Sequence, residues 1–309
     1  MAIQQYTVAE TLTAMPARVF LQKHLGISQN LWRKIKNSDS FTVNGQKVIA
    51  ALTEVKPGDI ISFATKDNET FAAQPLPLDI RYEDDYFLII NKPPNQLVHP
   101  TTKEHEGTVA NAVLYHYQQT GQPHAFHPLH RLDRKTSGLV IIAKIPQVQF
   151  LLSKKQKDEQ VKFFSREYLA VLEGIISPSK GEINLPIGRK PDSMIERMVT
   201  AEGKEAITLY ETVAQSTGSQ PPLSLIKVKL LTGRTHQIRV HFSHLGHPLL
   251  GDDLYGGSTN LLSRQGLHAY KVSFEHPFTK EKITVTAPPP TDLQELIDTY
   301  LSQSQISNL

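Results

Sequence analysis

The chain has 309 residues, more than one compact unit usually holds, so two domains are expected. Hydrophobic residues make up 39% and charged residues 20%, proportions that exclude a disordered chain, and no apolar run approaches the roughly 18 residues needed to cross a bilayer. The absence of cysteine excludes disulfides, thiolate metal sites and cysteine nucleophiles and favours an intracellular, cytoplasmic setting; the opening MAIQQYTVAETLTAM has no basic stretch before an apolar block, so no signal peptide is expected.

The net charge of +3 hides a segregation. From Arg18 to Lys47, six basic residues (Arg18, Lys23, Arg33, Lys34, Lys36, Lys47) stand against one acid, Asp39. That pattern suits a module that meets polyphosphate and equally a solvated basic face. Residues 16–25 are the first predicted helix: Pro16 suits its first position, Phe20, Leu21 and Leu25 form an apolar stripe, and Gly26 stops it. Ser28 then caps a second helix carrying Leu31, Trp32 and Ile35, with Arg33, Lys34 and Lys36 near its C-terminal end. Asn44-Gly45 supplies the positive φ angles of a two-residue hairpin turn, and Pro57-Gly58 makes another turn before the strand DIISF. Helix, basic helix and hairpin in this order resemble the small RNA-binding fold named after ribosomal protein S-four. The resemblance gives residues 1–70 as one domain and implies that Arg33, Lys34 and Lys36 face an RNA backbone.

Residues 71–79, FAAQPLPLD, contain two prolines and little pattern and read as a linker. A second domain is expected over 80–309. YFLIINK (86–92) is a buried-strand candidate ended by Pro93-Pro94, 108–117 is a predicted helix, and the apolar, β-branched 139–143 is a predicted strand. A charged-surface helix is expected over 147–159. Strands follow at 167–172, 206–212, 223–231, 267–274 and 283–286, and a Thr291-capped helix carrying Leu293, Leu296, Ile297 and Leu301 closes the chain. Many strands with interspersed helices and no regular βαβ period make this an α+β domain built on a mixed sheet.

The stretch richest in chemistry is HPLHRLDRKTSGLVIIAK, residues 127–144, in which a loop full of ionisable groups leads into an apolar strand. Asp133 lies in that loop between Arg131 and Arg134, cations that favour its ionised form. A charged carboxylate can act as nucleophile, base or electrostatic stabiliser, and it can equally cap a loop in a structural ion pair.

HRLDRKTSG resembles the central motif of the RluA-type pseudouridine synthases, which modify ribosomal RNA and some transfer RNA. YEDDYFLIINKPPNQLVHP (82–100), SREYLAVLEG (165–174), LLTGRTHQIRVHFSHLGHPLLGDDLYGG (230–257) and LHAYKVSFEHPFTKEKITVTAPP (267–289) follow in the family's order, so the likeness covers nearly the whole second domain. It implies a mainly antiparallel sheet and an isomerase that needs no cofactor, neither metal nor nucleotide. It also implies that Asp133 is the catalytic aspartate and that Arg131 enters the space left by the extruded base. Tyr168 is implied to stack on the uracil and to serve the late proton transfer at carbon 5. Arg239 is implied to pair with Asp133, and its neighbour Ile238 to wall the base. Lys135 departs from the pattern, because an acid often follows the family's Arg-Leu-Asp-Arg core, and contacts in that loop are expected to differ.

Helical geometry fits these assignments. Thr235 can cap a helix on which Ile238, Phe242 and Leu245 share one face, with Gly246 as its stop and Arg239 about 100° round from Ile238. The plainer alternatives are a surface ion pair for Arg239 and a strand core position for Tyr168, which shares a face with Ala170 and Leu172. His236, His241, His244 and His247 form one histidine group and His124, His127 and His130 another, but no H-E-x-x-H motif accompanies them, so capping, packing or phosphate contact is expected rather than zinc. The competing functions are a non-catalytic RNA-binding or ribosome-assembly factor and, more remotely, a histidine-dependent metallohydrolase. The expected partner is RNA, ribosomal or transfer, with the chain acting as a monomer away from membranes.

Overall fold

The computed structural model describes residues 2–65, 71–122, 124–146, 148–149, 152, 164–217 and 221–301. The N-terminal part opens with strand β1 (Ala2–Thr7), then a helical segment, α1, of Ala17–Val19 continued as one π turn over Phe20–His24, and α2 (Gln29–Lys36). Ser28 caps α2 as expected, its hydroxyl accepting from the Leu31 N–H at 3.0 Å. The hairpin β2 (Thr42–Val43) and β3 (Gln46–Lys47) turns at Asn44 (φ 51°) and Gly45 (φ 78°), and β4 (Ile60–Thr65) pairs with both β1 and β2. Phe20, Leu21, Leu31, Trp32, Ile35, Phe41 and Phe63 close a core of their own, which leaves Arg33, Lys34 and Lys36 on the exposed face of α2.

Residues 71–79 run without regular structure but are tied down. Phe71, Ala73 and Leu78 pack on the larger core, and the Gln74 N–H donates to the Asn111 carbonyl at 3.0 Å.

Beyond them lies a ten-stranded sheet. Its elements are β5 (Ile80–Glu83), β6 (Phe87–Lys92), α3 (Val109–Gln119), β7 (Ser137–Ala143), β8 (Phe164–Glu173), β9 (Lys180–Asn184), a side hairpin β10 (Ile187–Arg189) and β11 (Arg197–Val199), β12 (Ile207–Gln215), β13 (Leu223–Leu230), α4 (Gln237–His244), β14 (Leu267–Glu275), β15 (Lys282–Thr286) and α5 (Thr291–Tyr300). The main path is β9-β12-β13-β8-β14-β7-β6-β5, with β15 on β14 and the short pair His127–Pro128 on β7. Only β7 and β14 are parallel among these pairings, so the domain is α+β on a mainly antiparallel sheet. Gly138 makes that parallel pairing possible: at φ 114° a Cβ would collide with the Ala269 backbone.

Residues 87–90, FLII, are continuously apolar because both faces of the sheet are covered. Leu88 and Ile90 join Val140, Tyr168 and Val228 under α3 and α4, while Phe87 and Ile89 face the opposite way with Leu139, Ile141 and Phe274. Leu293, Leu296 and Ile297 of α5 cover that second face farther along.

Two predicted caps are corrected. Pro290, not Thr291, precedes α5 and offers no side-chain bond, and the residue before α4 is His236 in the left-handed region, not Thr235. Leu245 likewise leaves the α4 stripe and stands 43% exposed, because it follows the last helical residue. Most of the helix predicted at 147–159 lies outside the described residues. No helix among the described residues is long and apolar enough to cross a membrane.

Candidate active site

The loop from Leu129 to Thr136, the first half of β8 and the start of α4 converge on one cleft of about 1600 Å³. Asp133 occupies its floor. The loop folds back there, the Thr136 N–H donating to the Asp133 carbonyl at 3.1 Å, so the carboxylate is left partly exposed to the cleft.

Arg239 approaches from α4 and is 6% exposed. Its Nη1 donates to Asp133 Oδ2 at 2.9 Å, while Nε and Nη2 donate to Asp252 Oδ2 and Oδ1 at 2.6 and 2.7 Å. The Tyr255 ring lies 4.9 Å from the guanidinium carbon. Burial alone would lower the Arg239 pKa, but Asp252 and then Asp133 outweigh it and hold the group above its usual value. Arg239 is therefore a fixed cation, gripped by one carboxylate in a planar fork and presenting its remaining edge to the other.

Tyr168 enters from β8 at a bulge, where the pairing with β14 slips between Glu167 and Leu169. Bulges re-aim side chains near functional sites, and this one sets the phenol on the cleft wall while the ring stays in the core. Burial pushes its pKa up, with the Arg166 guanidinium working against that and Asp133 adding to it. Arg166 also lies over the Phe164 ring at 5.2 Å.

Ile238 is buried and lines the same cleft, and Arg131 stands exposed on its wall. The structure thus brings Asp133, Tyr168, Arg239, Arg131 and Ile238 together. Arg33, Lys34 and Lys36 do not line this cleft; they belong to α2. Lys135 pairs with Asp253 at 3.1 Å.

Four residues in or around the site were given no role beside Asp133 by the sequence, although His236 was among the histidines expected to cap, pack or contact phosphate. Asp252 and Arg166 are two of them, and His236 is the third, its Nε2 lying 3.7 Å from Asp133 Oδ1. The fourth is Lys92, fully buried behind the Asp133 loop, whose Nζ donates to the carbonyls of Pro93, Gln96 and Arg134 at 2.8, 2.9 and 3.1 Å. Burial pulls its pKa down to about 7, with Asp133 opposing and Arg264 and Arg134 reinforcing. Nothing in the string GDDLYGG tied Asp252 to an arginine thirteen positions earlier.

His241 spends Nδ1 on the Thr208 hydroxyl and Nε2 on the Leu185 carbonyl, both at 2.9 Å. Among the described residues no three histidine or carboxylate groups are placed to hold a metal ion.

Comparison with known proteins places the fold and the cleft in context. Residues 86–244 match the family described as RNA pseudouridylate synthase. The RNA pseudouridine synthase YjbO of Bacillus subtilis is 43% identical over 278 residues, covering 88% of this chain and 95% of the relative. The ribosomal large subunit pseudouridine synthase D of Vibrio vulnificus is 37% identical over 280 residues, covering 85% and 84%. Human RNA pseudouridylate synthase domain containing 1 superposes with a TM-score of 0.57 at 28% identity, covering 71% of this chain and 86% of its own.

Proposed function

The chain belongs to the RNA pseudouridylate synthase family, isomerases that turn uridine into pseudouridine in RNA, and on that premise we propose that Asp133 carries the reaction with Tyr168 and Arg239 serving it. The observation behind this reading is the 2.9 Å contact between Arg239 Nη1 and Asp133 Oδ2 on the floor of the cleft. It fixes one oxygen of the carboxylate, and the side chain remains partly exposed to the cleft.

A uridine must leave its stack to arrive there, at a cost of a few kcal/mol that is smallest in loops. Arg131 fills the gap and Ile238 walls the uracil ring. Asp133 promotes cleavage of the bond between ribose carbon 1′ and uracil nitrogen 1. The ring turns, carbon 5 bonds to carbon 1′, carbon 5 loses its proton by way of Tyr168, and nitrogen 1 gains one. Nothing is oxidised and no group comes from elsewhere, so the balance needs neither redox cofactor nor nucleotide.

The target is ribosomal RNA, with transfer RNA as the alternative; the ribosomal large subunit named for the Vibrio relative supports the first. Residues 1–70 act as a ribosomal-protein-S-four-like domain that adds affinity through Arg33, Lys34 and Lys36, residues 71–79 connect it, and residues 80–309 perform catalysis. The enzyme works as a monomer in the cytoplasm.

The test uses ribosomal and transfer RNA transcribed with tritium at carbon 5 of uridine, since isomerisation expels that label into water. Asp133→Asn should release none while still binding the RNA. Full release by Asp133→Asn sinks the assignment, and a wild type that binds RNA without releasing label favours a non-catalytic assembly factor instead.

A further inference from the structure

Arg239 holds only one oxygen of Asp133. The other, Oδ1, faces His236, whose ring lines the cleft and whose Nε2 is 3.7 Å away. That is too long for a hydrogen bond, but catalytic contacts are often long before substrate is seated. On the reading of Asp133 as the reactive carboxylate, we propose that His236 is a positioning residue: its Nε2–H closes onto Asp133 Oδ1 in the RNA complex and aims that oxygen at the extruded nucleotide.

In the proposed arrangement Tyr255 sets the ring proton on the required nitrogen. Its hydroxyl accepts the Arg197 backbone N–H at 2.9 Å and lies 2.8 Å from His236 Nδ1. The phenol proton is then directed to Nδ1, which makes Nδ1 an acceptor and places the ring proton on Nε2, the nitrogen facing Asp133. Burial keeps the ring's pKa below its ordinary value, with Asp133 pulling the other way and Arg239 adding to the lowering.

Backbone geometry points the same way. His236 has φ 58° and ψ 21°, a left-handed conformation rarely adopted by a residue with a Cβ, and it makes no side-chain capping bond to α4. Strain of this kind persists where the surroundings enforce it. Here the Tyr255 ring does so, meeting the His236 ring edge-on at 5.6 Å while also supporting the Arg239 guanidinium. One tyrosine therefore braces both partners of Asp133. Arg197, which anchors its hydroxyl, belongs to β11, and Ile195 just before it lines the cleft, so the bracing begins at the wall an RNA would press.

Tritium release from the same ribosomal and transfer transcripts tests this with His236→Ala, His236→Gln and Tyr255→Phe. His236→Ala should lose about a hundredfold in kcat, the cost of a misplaced reacting group, with KM and melting temperature little changed. The amide nitrogen of His236→Gln reaches the Nε2 position and should recover about tenfold of that loss. Tyr255→Phe keeps the ring under Arg239 but frees the tautomer, and it should also lower kcat. Wild-type kcat in His236→Ala, or a His236→Gln no better than His236→Ala, overturns the role of His236 alone. Nitrogen-15 NMR of the full chain gives a readout independent of turnover: a proton on Nδ1 instead of Nε2 at neutral pH overturns it too. A wild type releasing no label from any of these RNAs overturns the reading of the reaction, and this role with it.

Discussion

Asp252 and Arg239 form a sealed two-pronged pair, at 2.6 and 2.7 Å, in which the Asp252 side chain has no exposure at all. This pair, more than the helix, decides where the guanidinium edge meets Asp133. Removing one partner of a buried pair leaves the other charge uncompensated, at a cost of about 3–5 kcal/mol. Asp252→Ala should therefore lower unfolding stability by that order and also reduce tritium release among molecules that remain folded. Urea titration together with release assays well below the midpoint checks both. A variant as stable and as fast as wild type would show that Arg239 needs no second carboxylate.

Lys92 makes a separate prediction. Its three hydrogen bonds tie the turn after β6 to the carbonyl of Arg134, the residue next to Asp133. Lys92→Met keeps most of the volume and the apolar stem but removes every donor. Each buried carbonyl left without a partner costs about 1–3 kcal/mol, so the melting temperature should drop clearly and kcat should fall with the loosened loop. Lys92→Arg offers donors in a rigid planar fork and should rescue only in part. A Lys92→Met variant that melts and turns over like wild type removes this account of the buried amine.

The parts of this molecule that were legible in its sequence are those set by local chemistry. Ser28, Asn44-Gly45 and the apolar strand before Pro93 each act within a few residues, and the structure has them as expected. The meeting of Asp133 with Arg239 was legible only through resemblance, since 106 positions separate them. What stayed hidden depends on backbone dihedrals or distant pairing. Thr235 has the side chain of a cap, but His236 takes the left-handed turn that begins α4. AIQQYT lacks a strand's apolar alternation and becomes β1 because β4 pairs with it along all six residues. Tyr168 reads both as a core residue and as a site candidate, and the bulge between Glu167 and Leu169 sets its ring in the core while the residue lines the cleft.

His268 sets an acid limit on stability. It is fully buried on β14, with Nδ1 3.0 Å from the Ser137 hydroxyl and Nε2 donating to the Ala287 carbonyl at 3.0 Å. Burial lowers its pKa from 6.5 to about 4, the Ala287 bond opposing and Arg264 assisting. Between those two values the unfolded chain binds a proton that the folded chain excludes, so its contribution is complete above pH 6.5 and is lost as pH falls toward 4. His268→Gln should be less stable than wild type at neutral pH but show a flatter decline through that window. Parallel curves for the two proteins would assign the acid sensitivity elsewhere.

Arg33, Lys34 and Lys36 sit in the last turns of α2, exposed, while Leu31, Trp32 and Ile35 of the same helix are buried. A helix that anchors one face and sends three cations outward is suited to a phosphate backbone, and the energy of such binding comes largely from released counterions. Replacing Arg33 and Lys36 together by alanine should weaken RNA binding at low salt and flatten the plot of log affinity against log salt by about one unit for each phosphate no longer neutralised. Because a phosphate carries no base information, the weakening should be similar for every RNA tested. Filter binding across a salt series decides it. An unchanged slope would remove α2 from the RNA interface, and a weakening confined to one RNA would mean that the helix reads shape or bases rather than charge.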